Sequence, residues 1–528
     1  MQLSPKVLRI REWSPLPHVR RVSFVLNRLP VAVRPAGAGR LAMRGIPDML
    51  GPDMLGPDML GNAMMTRRRL LRRAGVISSA AACRLIADEP TGAVMTRLSA
   101  YMSEVAARPL PAEVMEKVKH HLLDTFAAMI SGAELAPGRA AVQFARAYGG
   151  AKVATVAASQ IVCGPIEAAL ANGVLAHADE TDDSWPNGWH PGCNVVPAAL
   201  AVGERFGISG AHFLRAVALG YDVGARMLTA LRPGVFETHK STHSIGGIFG
   251  SGAAAGCAAR LNARQMRWLL DYTAQQSSGI AAWDRDSDHI EKGFVFGGMP
   301  ARDGVTAALL VASGWTGVDD VLSGDDNFLL ANAPHGDPGA LADRLGERYE
   351  IVRTSIKKWS VGSPIQAPLD ALEMMLKRRP IPPDEVREIV VRMSPGSVVD
   401  NREMPDVCVQ HMLAIMLLDQ TVTFASAHDK PRMRDPAVLR QRAKVRLDPE
   451  APPLVTVALA DGSRLIENVS AVRGTNANPM TREEVMAKAR GLMTPVLGAP
   501  SSAKLIEATL AIESLRNVRE LRPLLQRG

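Results

Sequence analysis

The sequence predicts a mostly α-helical protein with a smaller α+β region, and three observations predict it. Aromatic residues make up only 4% of 528 residues, while Ala, Gly, Leu and Met abound. That composition favours helices packed closely through small side chains over a sheet sandwich. From about Ala93 apolar residues recur at intervals of three and four, the spacing of one helix face. Beyond Asn332–Gly339 (N-A-P-H-G-D-P-G), helical and alternating patterns mix. The chain is long enough for two or more domains with a large core.

Taken in order, residues 1–92 read as a basic leader. Residues 1–64 are rich in Pro, Arg and Gly and repeat G-P-D-M-L, with no periodicity that would bury a face, so disorder is expected. Residues 1–90 carry 15 Lys+Arg against 6 Asp+Glu; the remaining 438 carry 46 against 47. The body is therefore neutral and gives no support for nucleic-acid binding. Thr66-Arg67-Arg68-Arg69-Leu70-Leu71-Arg72 precedes A-G-V-I-S-S-A-A-A, which resembles a twin-arginine export signal over residues 65–90 and would put the natural start at Met65. The stretch is short and Arg84 interrupts it, so a basic disordered arm stays an equal reading.

Helices follow at Val94–Ala107, Ala112–Ile130, Pro137–Tyr148, Pro165–Ala178, Pro197–Phe206, Ala211–Leu231, Gly246–Arg260, Ala263–Ser278 and Gly304–Ala312. Pro197 is read as a first-turn proline, Gly207 as a helix stop and Asp303 as a cap. The small-residue run Gly246–Ala259 is expected at the centre of the bundle, since glycine costs helix stability unless neighbours need close approach. Its glycines lack G-x-G-x-x-G order, so no nucleotide loop is read. After the linker, helices are expected at Pro364–Leu376 and Val407–Leu418. Strands are expected at Val386–Met393, Lys444–Leu447 and Leu454–Ala460, with Asp461-Gly462 turning into Arg464–Val472. Thr481 and Glu484 form a capping box for a helix to Arg490. Ser502–Arg516 is the last helix, returning to the first domain. The expected division is 93–335 for the helical domain, 340–490 for the α+β domain and 491–528 for the returning helix.

Five widely spaced cysteines, none in C-x-x-C, imply neither a disulfide framework nor a zinc site. No apolar run approaches the roughly 18–20 residues that span a membrane.

The densest chemistry lies at His177–Pro191, H-A-D-E-T-D-D-S-W-P-N-G-W-H-P, between two apolar helices. A bland reading makes it a solvated acidic loop capping the next helix; the functional one makes it a site on a rigid scaffold. His177, Asp179, Asp182, Asp183 and His190 offer mixed metal ligands, but their spacing matches neither an EF-hand nor H-E-x-x-H, and metal is the minor reading. No G-x-S-x-G elbow supports a serine hydrolase. Lys292 in E-K-G-F-V-F-G-G is a lone cation among glycines and aromatics. His239 and His243 flank K-S-T, and His411 interrupts an apolar helix. A histidine in such a place is more often a core residue than a catalyst.

An ordered set of motifs then resembles the MmgE/PrpD family, which includes 2-methylcitrate dehydratase and cis-aconitate decarboxylase. The set runs N-G-V-L-A-H-A-D-E-T-D-D-S…H-P-G (Asn172–Gly192), G-Y-D-V-G-A-R (Gly220–Arg226), H-S-I-G-G-I-F-G-S-G (His243–Gly252) and E-K-G-F-V-F-G-G (Glu291–Gly298). It continues with K-K-W-S-V-G-S-P-I-Q-A-P (Lys357–Pro368), H-M-L-A-I-M-L-L-D (His411–Asp419) and G-T-N-A-N-P-M-T (Gly474–Thr481). The resemblance covers over four-fifths of the chain. It implies a large helical domain made from both chain ends, an inserted α+β domain, a homodimer, and metal-free, cofactor-independent chemistry on small di- or tricarboxylic acids. The location it implies is cytoplasmic; a working leader would make it periplasmic.

Carried over by position, the family's acid, hydroxyl and histidine fall on Glu180, Ser184 and His190, where the family more often has Asp and Thr at the first two. Its lysine falls on Lys292. A family histidine has no aligned histidine here, its place falling near Ser241 between His239 and His243. Gln366 stands at a histidine of the decarboxylase and His411 at its tyrosine, which argues against a true cis-aconitate decarboxylase. The expected chemistry is a hydro-lyase: proton abstraction alpha to a carboxylate, which needs a cation at that carboxylate and a nearby base. Lys292 is the expected cation and His190 the base or acid, oriented by Glu180 or Asp183. His411 would protonate the departing hydroxyl. Ser184, Asp183, His243 and Gln366 are the expected substrate contacts. An isomerase, a decarboxylase, or a non-catalytic exported carboxylate-binding protein are the alternatives.

Overall fold

The computed structural model describes residues 91–527, apart from 187, 233–237 and 452–453. The leader and its twin-arginine pattern lie outside the described residues. Helix dominates, and the strands form two small sheets, the first a two-stranded antiparallel pair of β1 (Ala154–Thr155) and β2 (Val162–Cys163).

Buried apolar side chains gather into two clusters. The larger runs from Met95 to Ile356 and resumes from Met480 to Leu525. The smaller runs from Trp359 to Leu459. Ala340, Leu341, Ile351 and Ile356 belong to the larger cluster, so the apolar division falls between Ile356 and Trp359.

The helix Thr242–Ala258 is buried at every residue. Its small side chains let neighbouring backbones approach: a methyl group on Gly304 would collide with the backbone of Gly252. It packs against the helices Gly210–Leu231, Gly192–Phe206 and Met299–Ala312, as expected of a central helix. Gly207 ends Gly192–Phe206 in the left-handed region, φ 63°. That helix begins five residues before Pro197, which sits inside it. Pro191 occupies the cap position instead, and the first helical amide, of Gly192, is satisfied by Asp183. Asp303 is not a cap either. The helix Met299–Ala312 continues upstream through a π-helical turn, Phe294–Gly298, into Ile290–Gly293, and Asp303 accepts instead from Arg302. The combined run Ile290–Ala312 is long and apolar enough to cross a membrane by length and composition alone, contrary to the sequence expectation. Of its most apolar 18 residues 72% are buried inside the protein, which marks it as a core helix.

The smaller cluster is built on a four-stranded sheet, β4 (Val445–Leu447), β3 (Val386–Val391), β5 (Val455–Leu459) and β6 (Arg464–Glu467), in that order. β3 pairs parallel with β4 and antiparallel with β5, with Ile389 opposite Val445 and Val457. The Asp461-Gly462 turn joins β5 to β6, with Gly462 at φ 87°. The helices Ser363–Arg378 and Val409–Asp419 carry most of the remaining apolar residues of this cluster. Thr481 and Glu484 form the expected capping box, and the helix runs on to Leu497. The last expected helix is shorter, Ala499–Leu510, followed by 3-10 turns and a four-residue helix. Leu505, Ile506, Ile512, Val518, Leu521 and Leu525 from this end join the larger cluster. Cys163, Cys193, Cys257 and Cys408 are free and buried.

Candidate active site

The loop after the helix Pro165–Ala176 is not solvated. His177, Asp179, Glu180, Asp182 and Asp183 are each at most 3% exposed. A buried carboxylate needs partners of its own, and each has them. Asp183 accepts from the Tyr221 hydroxyl and pairs with His121 Nδ1, both at 2.6 Å, and accepts from the Gly192 amide at 2.8 Å. The capping half of the bland reading is therefore correct, for Asp183 alone. Asp179 holds Thr181 and pairs with His428 at 3.0 Å. Asp182 meets His177 Nδ1 at 3.0 Å and His190 Nδ1 at 3.1 Å. Glu180 binds Lys292 with one oxygen and Lys357 with the other, the latter at 3.1 Å.

Burial opposes ionisation of Glu180, but Lys292 and Lys357 outweigh it and hold the carboxyl well below its usual range. Burial likewise opposes ionisation of Asp182, and His177 and His190 outweigh it. Lys357 is raised: burial acts against its charge, and Glu180 and Asp182 more than offset that. Burial lowers His177 to about 4, against the pull of Asp182. It also takes His243 well below its usual value, with His190 adding to the effect.

Part of this network borders a cavity of about 360 Å³. Glu180, Ser184, His190, His243 and Lys292 line it together. Ser184 is fixed by a two-way backbone bridge to Ser355, at 2.9 and 2.8 Å, and its hydroxyl accepts from Ser363 at 3.2 Å. His243 follows the cap residue Ser241 and stacks on Phe296, with ring centroids 3.6 Å apart. Lys292 enters after His289, a left-handed residue at φ 64°, and its amide is held by Asp286 at 2.8 Å. Its ammonium lies 5.6 Å from the Trp283 ring and 5.3 Å from that of Phe296. The π-helical turn presents Phe296 here; such turns are frequent at functional sites.

Three sequence-predicted residues lie elsewhere. Asp183 faces His121 and Tyr221, not the cavity, because it is spent on the helix start. Gln366 braces the loop before its own helix, bonding Trp359 N and O and Val361 O. His411 is fully buried in the smaller cluster's helix, with neither ring nitrogen hydrogen-bonded, and does not line this cavity. Burial, aided by the charges of Arg442 and Arg432, lowers it to about 4.

Two residues were missed. Asp182, not Glu180 or Asp183, orients His190; four acids within five positions cannot be told apart by spacing. Lys357 clamps Glu180 from behind. Its K-K-W-S motif was visible, but nothing local distinguished it from a surface lysine.

Two buried groups bring three potential metal ligands within 4.8 Å: His177, Asp182 and Cys193, and His177, Glu180 and His289. The five residues considered from sequence are not gathered into one set. In both groups the carboxylate is already engaged, Asp182 by two imidazoles and Glu180 by two ammonium groups. A cation at Glu180 would have to displace Lys292 or Lys357, so these donors fit a metal poorly.

Compared with known families, residues 96–339 match the MmgE/PrpD N-terminal domain and residues 359–513 the MmgE/PrpD C-terminal domain. The chain belongs to the MmgE/PrpD family. Among its curated relatives, human cis-aconitate decarboxylase is 25% identical over 451 residues, covering 79% of this chain and 91% of that protein. The mouse cis-aconitate decarboxylase is 25% identical over 396 residues, covering 69% and 78%. The Aspergillus terreus cis-aconitate decarboxylase is 23% identical over 477 residues, covering 82% and 96%. These relatives bear the decarboxylase name, whereas the sequence reading put the dehydratase first.

Proposed function

We propose that the protein is a lyase that moves a proton alpha to a carboxylate of a small carboxylic acid, with loss of water as the leading outcome. The observation that carries this reading is the meeting of Lys292, His190 and Ser184 on one cavity, with Asp182 buried behind His190. Lys292 binds the substrate carboxylate and stabilises the charge that builds there when the alpha proton leaves. Asp182 occupies Nδ1 of His190, so Nε2 takes the proton, and the buried carboxylate steadies the imidazolium that forms. With His411 outside the cavity, His190 itself returns that proton to the departing hydroxyl. The C–H and C–O bonds break, the alkene forms and water leaves. Ser184 hydrogen-bonds the substrate.

Decarboxylation is the second reading, favoured by the names of the relatives. There the imidazolium would deliver its proton to the carbon that loses carbon dioxide. The di- and tricarboxylic acids implied by the family are the first substrates to try. The test is to incubate purified protein with citrate, 2-methylcitrate, malate and cis-aconitate, following alkene absorbance and carbon dioxide with and without chelator. Chelator-insensitive alkene formation is the expected result. Carbon dioxide release selects the second reading, and chelator-sensitive turnover contradicts the metal-free mechanism.

A further inference from the structure

A second cavity, of about 720 Å³, shares no lining residue with the catalytic one. Arg402, Lys430, Arg434 and Arg442 line it together against one carboxylate, Glu403. Few of these charges are answered by anions. Arg402 donates to the backbone carbonyls of Asp284 and Asp286, and the nearest carboxylate, of Asp284, is 3.6 Å away and half exposed. Arg442 donates to the Asn401 side chain at 3.3 Å and Lys430 to the Ser287 carbonyl at 3.2 Å. Arg434 makes no hydrogen bond or ion pair with any described residue. The neighbouring Arg432, by contrast, is spent on Asp419, and Asp429 and Asp435 accept from the amides of Arg432 and Ala437.

The cations are also held in place. Asn401 sits in the left-handed region at φ 47°, its amide donating to Gln410, which in turn donates to Asp400. The 3-10 turn Pro431–Arg434 and the helix Pro436–Arg442 carry Arg434 and Arg442, with Lys430 capping the turn. A solvated basic face would spread its charges. Here they converge on a concavity, where like charges repel one another and the field for an anion is focused. Guanidinium groups match phosphoryl oxygens in a bidentate way, and four cations against one anion call for a ligand with several negative charges.

We propose that this cavity binds a soluble small molecule carrying two phosphoryl groups, and that its occupancy steadies the loop leading to Lys292. Arg402 and Lys430 hold the carbonyls of Asp284, Asp286 and Ser287, and the Asp286 carboxylate holds the Lys292 amide at 2.8 Å. An anion between the two cations relieves their mutual repulsion and so favours those carbonyl bonds. The role of Lys292 toward substrate does not enter this site.

The test is calorimetric titration of the full chain with pyrophosphate. A Kd below about 1 mM is expected at low salt, weakening as salt rises. Arg434 and Lys430 are exposed, so Arg434→Glu and Lys430→Gln should fold, and each should weaken binding by roughly tenfold. Lys292→Met should leave binding unchanged, as should Lys504→Glu at an exposed lysine on the helix Ala499–Leu510. Amide hydrogen exchange over residues 284–292 should slow when pyrophosphate is added. No binding at millimolar pyrophosphate overturns the proposal, even if anionic phospholipid vesicles capture the protein. Equal loss in Lys504→Glu shows diffuse attraction and overturns it as well. Loss in Lys292→Met places the anion in the catalytic cavity and has the same consequence. Binding with unchanged exchange overturns the link to the loop.

Discussion

His411 is a fully buried imidazole with no hydrogen bond to either nitrogen. A buried polar group without a partner costs stability, whereas an apolar group of similar shape does not. His411→Leu is therefore expected to stabilise the protein by about 1–2 kcal/mol at neutral pH, read as a raised melting temperature, with turnover unchanged. Lost turnover in a folded variant would restore His411 to the chemistry. Asp182 is the opposite case, a buried anion tied to two imidazoles. Asp182→Asn should leave His190 in place but without its counter-charge, lowering kcat by roughly 10²–10⁴-fold with little change in KM. Equal loss in both parameters would point to a collapsed site instead.

The π-helical turn Phe294–Gly298 positions both Lys292, just before it, and Phe296, within it. It meets the helix Pro165–Ala176 through paired glycines: a methyl group on Gly297 would run into the carbonyl of Gly173, and one on Gly173 into Gly297. Backbone on both sides leaves nothing flexible to yield. Gly297→Ala should lower the melting temperature and raise KM, because the relief route shifts the turn that carries the cation. A variant with normal melting and normal KM would contradict this packing argument. At this scale the sequence was legible where periodicity, glycine and caps act locally. Gly207, the Asp461-Gly462 turn and the Thr481–Glu484 capping box all express local backbone chemistry. The early start of Gly192–Phe206 and the join of Ile290–Gly293 to Met299–Ala312 were not legible. The first depends on a partner outside the helix, Asp183 on the Gly192 amide. The same contrast holds in the site. Lys292 and His190 stood out against apolar surroundings, while Lys357 and Asp182 are defined only by what folds against them.

Two histidine–carboxylate pairs join residues of the larger cluster's stretch to residues of the smaller one's: His428 with Asp179, and His289 with Asp406, at 3.0 and 3.1 Å. Burial works against charge on His428, but its hydrogen bond to Asp179 wins and raises it from 6.5 to about 9. Between those values the folded chain binds more protons than the unfolded one, so this stabilisation is full below pH 6.5 and is lost as pH rises through 9. His177 and His411 have the reverse sign. Burial lowers both from 6.5 to about 4, so the unfolded chain takes protons first and stability falls as pH drops from 6.5 toward 4. The contribution of these three histidines to the melting temperature should therefore be largest near pH 6.5. His428→Gln should flatten the alkaline limb and leave the acid limb in place. An unchanged alkaline limb would contradict the assignment.

The proposed chemistry needs His190 to move the proton and Lys292 to hold the carboxylate across one cavity. The most direct measurement is steady-state kinetics of His190→Asn and Lys292→Met beside their thermal melts, on whichever acid the screen identifies. His190→Asn is expected to melt like the unmodified protein and lose kcat by roughly 10²–10⁴-fold. Lys292→Met is expected to raise KM as well as lower kcat, since its charge pair with the substrate exists before the transition state. Folded His190→Asn protein with near-normal turnover would contradict the account.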